Sequence, residues 1–324
     1  MTALIIIVIV LAVIGAFALM FRFDTPDRAK NYENTTNPDI KPLGQTEVLA
    51  HRSGADLAPE NTMMAFQNII SHINEYKIYG FEFDLHLTKD GQIIILHDDT
   101  LDRTSDSEEH FGKSGVMPCD ITFDELDELN MGEKFEAPNG SHPYEGLRGK
   151  DIPDNLHPIR LSDVFDYLKP YGNYTFTVDI KNDGDTGYKA ADTLHQILVD
   201  YNMLKRTAVA SFHKTNINYL DEKYPDITRS ATIHEVVRFY FQSFFNIPHK
   251  EFKFKYLHVP YKDYFFNLGT TRFINYAHRH NIAVQYWTIN DIKIMKKLSK
   301  MGADAIFTDI PDTAYKIYKE QLKK

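Results

Sequence analysis

Glu82, Asp84 and His86 alternate along the run Gly80-Phe81-Glu82-Phe83-Asp84-Leu85-His86-Leu87, and His97 closes a second run, Ile93-Ile94-Ile95-Leu96-His97. Side chains alternate faces in an extended chain, so Glu82, Asp84 and His86 share one face and Phe81, Phe83, Leu85 and Leu87 the other. An ordinary amphipathic strand also turns carboxylates to one side. Here apolar residues flank the pair and an imidazole ends the next strand. Two carboxylates two residues apart are the minimum grip on a hard divalent cation. A nearby imidazole is the usual proton-transfer group. Other chemistry-bearing residues fall at the ends of β-forming runs: His51-Arg52 after Val48-Leu49-Ala50, Asp179 and Lys181 after Tyr174-Thr175-Phe176-Thr177-Val178, and Phe212 and Trp287 later.

The elements that must position these residues alternate. The Lys89-Asp90-Gly91 turn joins strands 80–87 and 93–97 as a hairpin, so one strand runs antiparallel to its neighbour. Further strands are expected near 174–181, 207–212, 228–232, 255–259, 283–289 and 303–307. Helical periodicity separates them at 161–168, 188–201, 214–224, 271–280 and 291–301. An earlier helix carries Ala65, Phe66, Ile69, Ile70 and Ile73, with Asn61 or Thr62 as its N-cap. Such alternation builds parallel βαβ units. Eight parallel strands plus one reversed strand predict an α/β fold, a (β/α)₈ TIM barrel, with a doubly wound open sheet as the alternative. Catalytic groups of such barrels sit at the C-terminal strand ends. The stretch 98–160, rich in Gly, Pro, Ser and Asn, reads as a small insertion after the third strand. No GxGxxG or GxxxxGK[ST] loop follows the first strand, so those nucleotide cradles are absent.

A net charge of −9 argues against nucleic acid as a partner. A lone cysteine, Cys119, excludes an internal disulfide and a Cys-rich zinc site. Residues 3–21 are an unbroken apolar run, long enough at helical rise to cover about 30 Å of hydrocarbon. They predict one N-terminal transmembrane helix, with a cleaved signal peptide as the rival because Ala16-Phe17-Ala18 resembles a cleavage site. Arg22, Arg28 and Lys30 follow the run and lean the following domain toward the cytoplasm. The resulting organisation is anchor 3–21, linker 22–45 and barrel 46–324. The aromatic segment around Phe239-Tyr240-Phe241, Phe244, Phe245, Phe252, Phe254 and Phe266 reads first as outer-helix core. Its second reading is an acyl groove or interfacial surface.

Leu49-Ala50-His51-Arg52-Ser53-Gly54, Pro59-Glu60-Asn61-Thr62, Glu82-Phe83-Asp84 and His97-Asp98 together resemble the glycerophosphodiester phosphodiesterase family. Ala210-Ser211-Phe212, Tyr286-Trp287-Thr288-Ile289-Asn290-Asp291 and Gly302-Ala303-Asp304-Ala305-Ile306-Phe307-Thr308-Asp309-Ile310-Pro311-Asp312 agree. The resemblance covers about 47–315. It implies a TIM barrel with an insertion after the His-Asp strand, and metal-dependent hydrolysis of glycerophosphodiesters to sn-glycerol 3-phosphate and an alcohol. It implies His51 and His97 as general acid and base, and Glu82, Asp84 and Asp179 as ligands of one divalent ion, Mg²⁺ or Ca²⁺. Arg52, Glu60 and Lys181 fall in the phosphate surroundings, with Phe212 and Trp287 beside the substrate. In the family's mechanism the glycerol 2-hydroxyl attacks phosphorus and water then opens a cyclic phosphate. Two positions depart from the family pattern: Asp179 where Glu is usual, and Ser53 where Gly is usual. Alternative functions are lysophospholipase D action on membrane lysophospholipids and a non-catalytic barrel that binds lipid headgroups. The latter fits poorly with an intact set of His and carboxylate residues.

Overall fold

Strand β1 (Glu47–His51) is buried through its middle and hydrogen-bonded on both sides by parallel neighbours, β2 (Gly80–Leu87) and β9 (Ala305–Thr308). A strand buried on both faces must be apolar throughout, as Val48-Leu49-Ala50 is. The computed structural model describes residues 7–9, 11–12, 15, 28–32, 35–248, 251–263 and 266–322. The sheet continues from β2 to β4 (Thr175–Ile180), β5 (Thr207–Ala210) and β6 (Thr228–Arg229). From β9 it continues to β8 (Ala283–Trp287) and β7 (Tyr256–Pro260). Ser230 bridges Tyr256 in parallel, and the amides of Lys255 and Ala231 donate to Arg229 and Tyr256 carbonyls at 3.1 and 2.9 Å. These bonds bring β6 onto β7 and close the eight parallel strands into a barrel. The ninth strand, β3 (Ile93–Ile95), pairs antiparallel with the end of β2. Gly91 makes that hairpin possible with φ +82°, where a side chain would be strained. The expected architecture of eight parallel strands and one reversed strand is therefore the observed one.

Helices cover the barrel's outside: α1 (Met63–Ser71), then α2 (Ser107–Phe111) and α3 (Phe123–Leu126) in the insertion. They are followed by α4 (Leu161–Leu168), α5 (Gly184–Asp200), α6 (Lys214–Lys223), α7 (Ile233–Phe245), α8 (Thr271–Arg279), α9 (Ile292–Met301) and α10 (Pro311–Gln321). Thr62 is the N-cap of α1, its hydroxyl accepting from the Ala65 amide at 3.3 Å. Helix α7 occupies the aromatic segment. Its Phe239 packs edge-on against Phe254 and Phe273, which makes the core reading correct for that residue. The segment between β3 and α4 carries its own small core of Leu96, Leu101, Val116, Phe123, Leu126 and Leu129, continuous with Ile94 of the hairpin.

The C-terminal part of the stretch expected to be a linker is docked. Asn37 donates to the Lys255 carbonyl at 3.0 Å, and the Lys41 amide donates to Asp304 at 2.7 Å. Asp39 accepts from the hydroxyls of Tyr79 and Tyr256. Its polar Asn and Asp residues read as linker by composition. They instead satisfy groups at the N-terminal end of the barrel, where unpaired polar atoms would be costly. Among the described residues no helix is long and apolar enough to cross a membrane. The anchor expected over 3–21 lies largely outside the described residues.

Candidate active site

The C-terminal ends of the strands open into a cavity of about 450 Å³. His51 ends β1, Glu82 and Asp84 line β2, His97 follows β3, and Asp179 and Lys181 end β4. All six face this cavity together with Arg52, Phe212 and Trp287. Parallel register explains the convergence: His51 stands opposite Glu82, and Asp84 opposite Asp179. Of the site residues expected from the sequence, Glu60 does not line this cavity. It faces an adjoining cleft toward the insertion. There it accepts from Arg52 at 3.2 Å and from both terminal nitrogens of Arg103 at 2.7 and 2.9 Å. Glu60 thus orients two arginines, and those cations outweigh its burial and hold its carboxyl below the usual range. His86 shares the strand face of Glu82 and Asp84 but is buried beyond the cavity. Burial lowers its pKa to about 4, leaving it neutral.

Two of the cavity histidines, His51 and His97, are each held by a carboxylate through Nδ1. His51 Nδ1 lies 2.6 Å from Asp309 Oδ1, and Asp309 also accepts from Asn290 at 2.6 Å. His97 Nδ1 lies 2.6 Å from Asp98 Oδ1, and Asp98 accepts from Arg103 Nε at 2.6 Å. A carboxylate at Nδ1 keeps the proton there in the neutral ring and turns Nε2 into the reactive nitrogen. Burial pushes His51 toward the neutral form, but the Asp309 hydrogen bond and the nearby Glu82 charge outweigh it and the net shift is upward. Burial raises Asp98, but the bonds from Arg103 and His97 dominate and bring its pKa to about 2. Neither Asp309 nor Asn290 was singled out by spacing; both lie inside the C-terminal motif stretches.

The carboxylates form a strained electrostatic group. Burial and the charge of Asp84 raise the Glu82 pKa, and burial raises that of Asp179 to about 6 against the pull of Lys181. Lys181 Nζ lies between Asp84 and Asp179, 2.8 Å from an oxygen of each. Those two carboxylates outweigh burial and keep the ammonium charged. Asp84 Oδ2 and Asp179 Oδ1 are buried with no hydrogen-bond partner. Three carboxylates, two of them with an orphaned buried oxygen, fit a hard divalent cation by donor type. Among the described residues, no three His, Cys, Asp or Glu side chains are drawn together as a ready cage. Lys181 reaches the position between Asp84 and Asp179 instead.

The loop after β1 holds Ser53 in a backbone conformation that favours glycine. Arg52 and Ser53 have φ of +46° and +65°, turning the chain so that the Arg52 amide donates to Glu82 at 3.1 Å. Ser53 is buried there and its hydroxyl has no partner. At the rim, Phe212 and Trp287 meet edge to face with centroids 6.3 Å apart, and Lys181 Nζ lies 5.5 Å from the Phe212 ring centre.

A closed (β/α)₈ barrel with two carboxylate-held imidazoles, a lysine and three further carboxylates at its catalytic face is the framework of an acid–base enzyme. Residues 51–313 match the Glycerophosphoryl diester phosphodiesterase family; the chain belongs to that family and is one of its phosphodiesterases. It is 26% identical over 282 residues to a glycerophosphodiester phosphodiesterase of Bacillus altitudinis, covering 86% of this chain and all of that one. In fold it is similar to a putative glycerophosphoryl diester phosphodiesterase from Silicibacter pomeroyi, with TM-score 0.65, 19% identity, and 86% and 95% of the two chains covered. It is also similar to an Oleispira antarctica phosphodiesterase solved with the product sn-glycerol-3-phosphate, with TM-score 0.60, 20% identity, and 86% and 97% covered.

Proposed function

We propose that this enzyme cleaves glycerophosphodiesters to sn-glycerol 3-phosphate and an alcohol by two-histidine acid–base catalysis. The observation that carries the reading is the pair of imidazoles, each fixed through Nδ1 by its own aspartate, on one cavity with Arg52 and Lys181. A phosphodiester carries one negative charge and resists attack by anions. Arg52 and Lys181 supply fixed positive charge for the phosphoryl oxygens, whose charge grows in the transition state. His97 takes the proton of the attacking glycerol hydroxyl through Nε2. His51, whose protonated form Asp309 and Glu82 favour, gives its proton to the leaving alcohol as the phosphorus–oxygen bond breaks. Water then opens the cyclic phosphate with the two roles exchanged.

Glu82, Asp84 and Asp179 are the residues that would hold a divalent cation. Bound there, it supplies Lewis-acid stabilisation of phosphoryl oxygen and lowers the pKa of a hydroxyl. Asp179 is one methylene shorter than the family's usual Glu, which bears on affinity and ion choice more than on the reaction.

The test is release of sn-glycerol 3-phosphate from glycerophosphocholine and glycerophosphoethanolamine. Release that stops with chelator and returns with Mg²⁺ or Ca²⁺ supports the reading. Silence of the folded protein on both diesters, with either ion present, overturns it.

A further inference from the structure

A second pocket, of about 620 Å³, lies at the far end of α7 from the catalytic cavity. Ile233, Val236 and Val237 in the first turns of the helix face the cavity, whereas Ser243, Phe244 and Phe245 in its last turn line the pocket. A 13-residue helix is about 20 Å long, which sets the distance between the two openings. The chain leaves α7 beside the pocket to enter β7 at its N-terminal end. The pocket therefore belongs to the end of the barrel opposite the catalytic face.

Four cations converge on it. Arg272, Asn275 and Arg279 stand at i, i+3 and i+7 on one face of α8. Asn275 fastens the incoming chain across that face: its Nδ2 donates to the Arg28 carbonyl at 2.8 Å, and its Oδ1 accepts from the Lys30 amide at 3.2 Å. This brings the exposed Arg28 and Lys30 to the same pocket. Aromatic rings hold the two arginines in place. The Arg272 guanidinium lies 5.3 Å from the Phe244 ring centre. That of Arg279 lies 5.5 Å from Tyr276 and donates to Asn246 at 2.7 Å. Among the described residues that line the pocket there is no Asp or Glu, in a chain whose net charge is −9. Cations gathered against the sign of the whole chain mark an anion-binding surface.

Phe245 and Ile247 at the pocket's edge are 54% and 46% exposed. A soluble anion would use the cations and leave this apolar pair in water, whereas the headgroup boundary of a bilayer accommodates both. The apolar run 3–21 ends seven residues before Arg28, which limits its distance from the pocket to about 25 Å.

We propose that the pocket of Arg28, Lys30, Arg272 and Arg279 binds the phosphates of anionic phospholipids and seats the N-terminal end of the barrel on a bilayer, with Phe245 and Ile247 entering the interface. The catalytic cavity, at the opposite end, opens toward water. This surface acts apart from catalysis and does not depend on the phosphodiesterase reading.

The experiment uses two fluorescent positions. Trp287, the single tryptophan, reports the catalytic mouth. Phe245→Trp combined with Trp287→Phe moves the reporter to the pocket. The full chain, its folding verified by circular dichroism, is reconstituted into vesicles of phosphatidylcholine, alone or mixed with phosphatidylserine, carrying bromine on acyl carbons close to the headgroups. Bromine should quench the reporter at position 245 more strongly than Trp287, and phosphatidylserine should increase that quenching. Arg28→Gln with Lys30→Gln should abolish most of the increase, because each surface charge removed weakens attraction to an anionic bilayer about fivefold. High salt should do the same to the chain that keeps both cations. Stronger quenching of Trp287 than of the reporter at 245 would turn the catalytic face to the bilayer and overturn the proposal. Quenching at 245 that is indifferent to phosphatidylserine and to salt would overturn the recognition of anionic phosphate.

Discussion

His51 and Asp309 lie 258 residues apart in sequence and meet at 2.6 Å across the mouth of the barrel, with Asn290 holding the far oxygen of the aspartate. The contact joins the ends of the paired strands β1 and β9 and favours the protonated form of the imidazole that faces the cavity. Its sign is definite: a raised folded-state pKa keeps His51 protonated to higher pH than an ordinary histidine. Asp309→Asn removes the largest upward influence. The alkaline limb of the kcat/KM profile should move to lower pH, and kcat should fall because the ring loses its orientation. An unmoved limb would separate Asp309 from the titrating group.

The proposed cation site makes a second, pH-dependent prediction. Asp179, with its pKa near 6, carries a proton at pH 5 and little at pH 7.5. In the absence of metal this raised pKa contributes stability that is present at low pH and lost as pH rises through about 6. Added Mg²⁺ or Ca²⁺ competes with that proton. The Tm increase on adding the ion should therefore be larger at pH 7.5 than at pH 5. Equal shifts at both pH values would place the ion elsewhere.

Lys181 supplies a third. Removing its ammonium in Lys181→Met leaves Asp84 and Asp179 buried without their counter-ion, a loss of about 3 kcal/mol by analogy with other broken buried pairs. A divalent cation should restore part of that stability, because it offers the same carboxylates a positive charge. Thermal unfolding with and without Mg²⁺ or Ca²⁺ measures both effects. A variant as stable as the parent, or one indifferent to the ion, contradicts this arrangement.

Ser53 provides a fourth. Its φ of +65° and its unpartnered buried hydroxyl are both unfavourable, and glycine relieves both. Ser53→Gly should stabilise the protein by about 1 kcal/mol, the left-handed penalty for a non-glycine residue. Denaturant unfolding checks it, and a destabilised variant would show that the serine hydroxyl has a compensating role.

Much of this site was legible because strands report their contents directly. Alternation put Glu82 and Asp84 on one face, and strand ends flagged His51, His97, Asp179 and Lys181 before any long-range contact was known. What stayed hidden depends on distance in three dimensions. Nothing local in Asp309 or Asn290 says that they reach back to His51, and Glu60 reads as a cavity residue until Arg103 is seen between it and Asp98. The docking of Asp39 onto Tyr79 and Tyr256 was invisible for the same reason, since a polar stretch with prolines has the composition of a linker. Helix α7 was obscured differently. With apolar residues on two faces its pattern lacks a single stripe, and only the fold separates the core face from the cavity face.

The most direct measurement is release of sn-glycerol 3-phosphate from glycerophosphocholine by the unmodified enzyme, His51→Ala and His97→Ala, with divalent cation present and folding verified for each. Loss of an acid or base should lower kcat by about 10²- to 10⁴-fold in each variant. Near-parental turnover in either one would contradict the two-histidine mechanism.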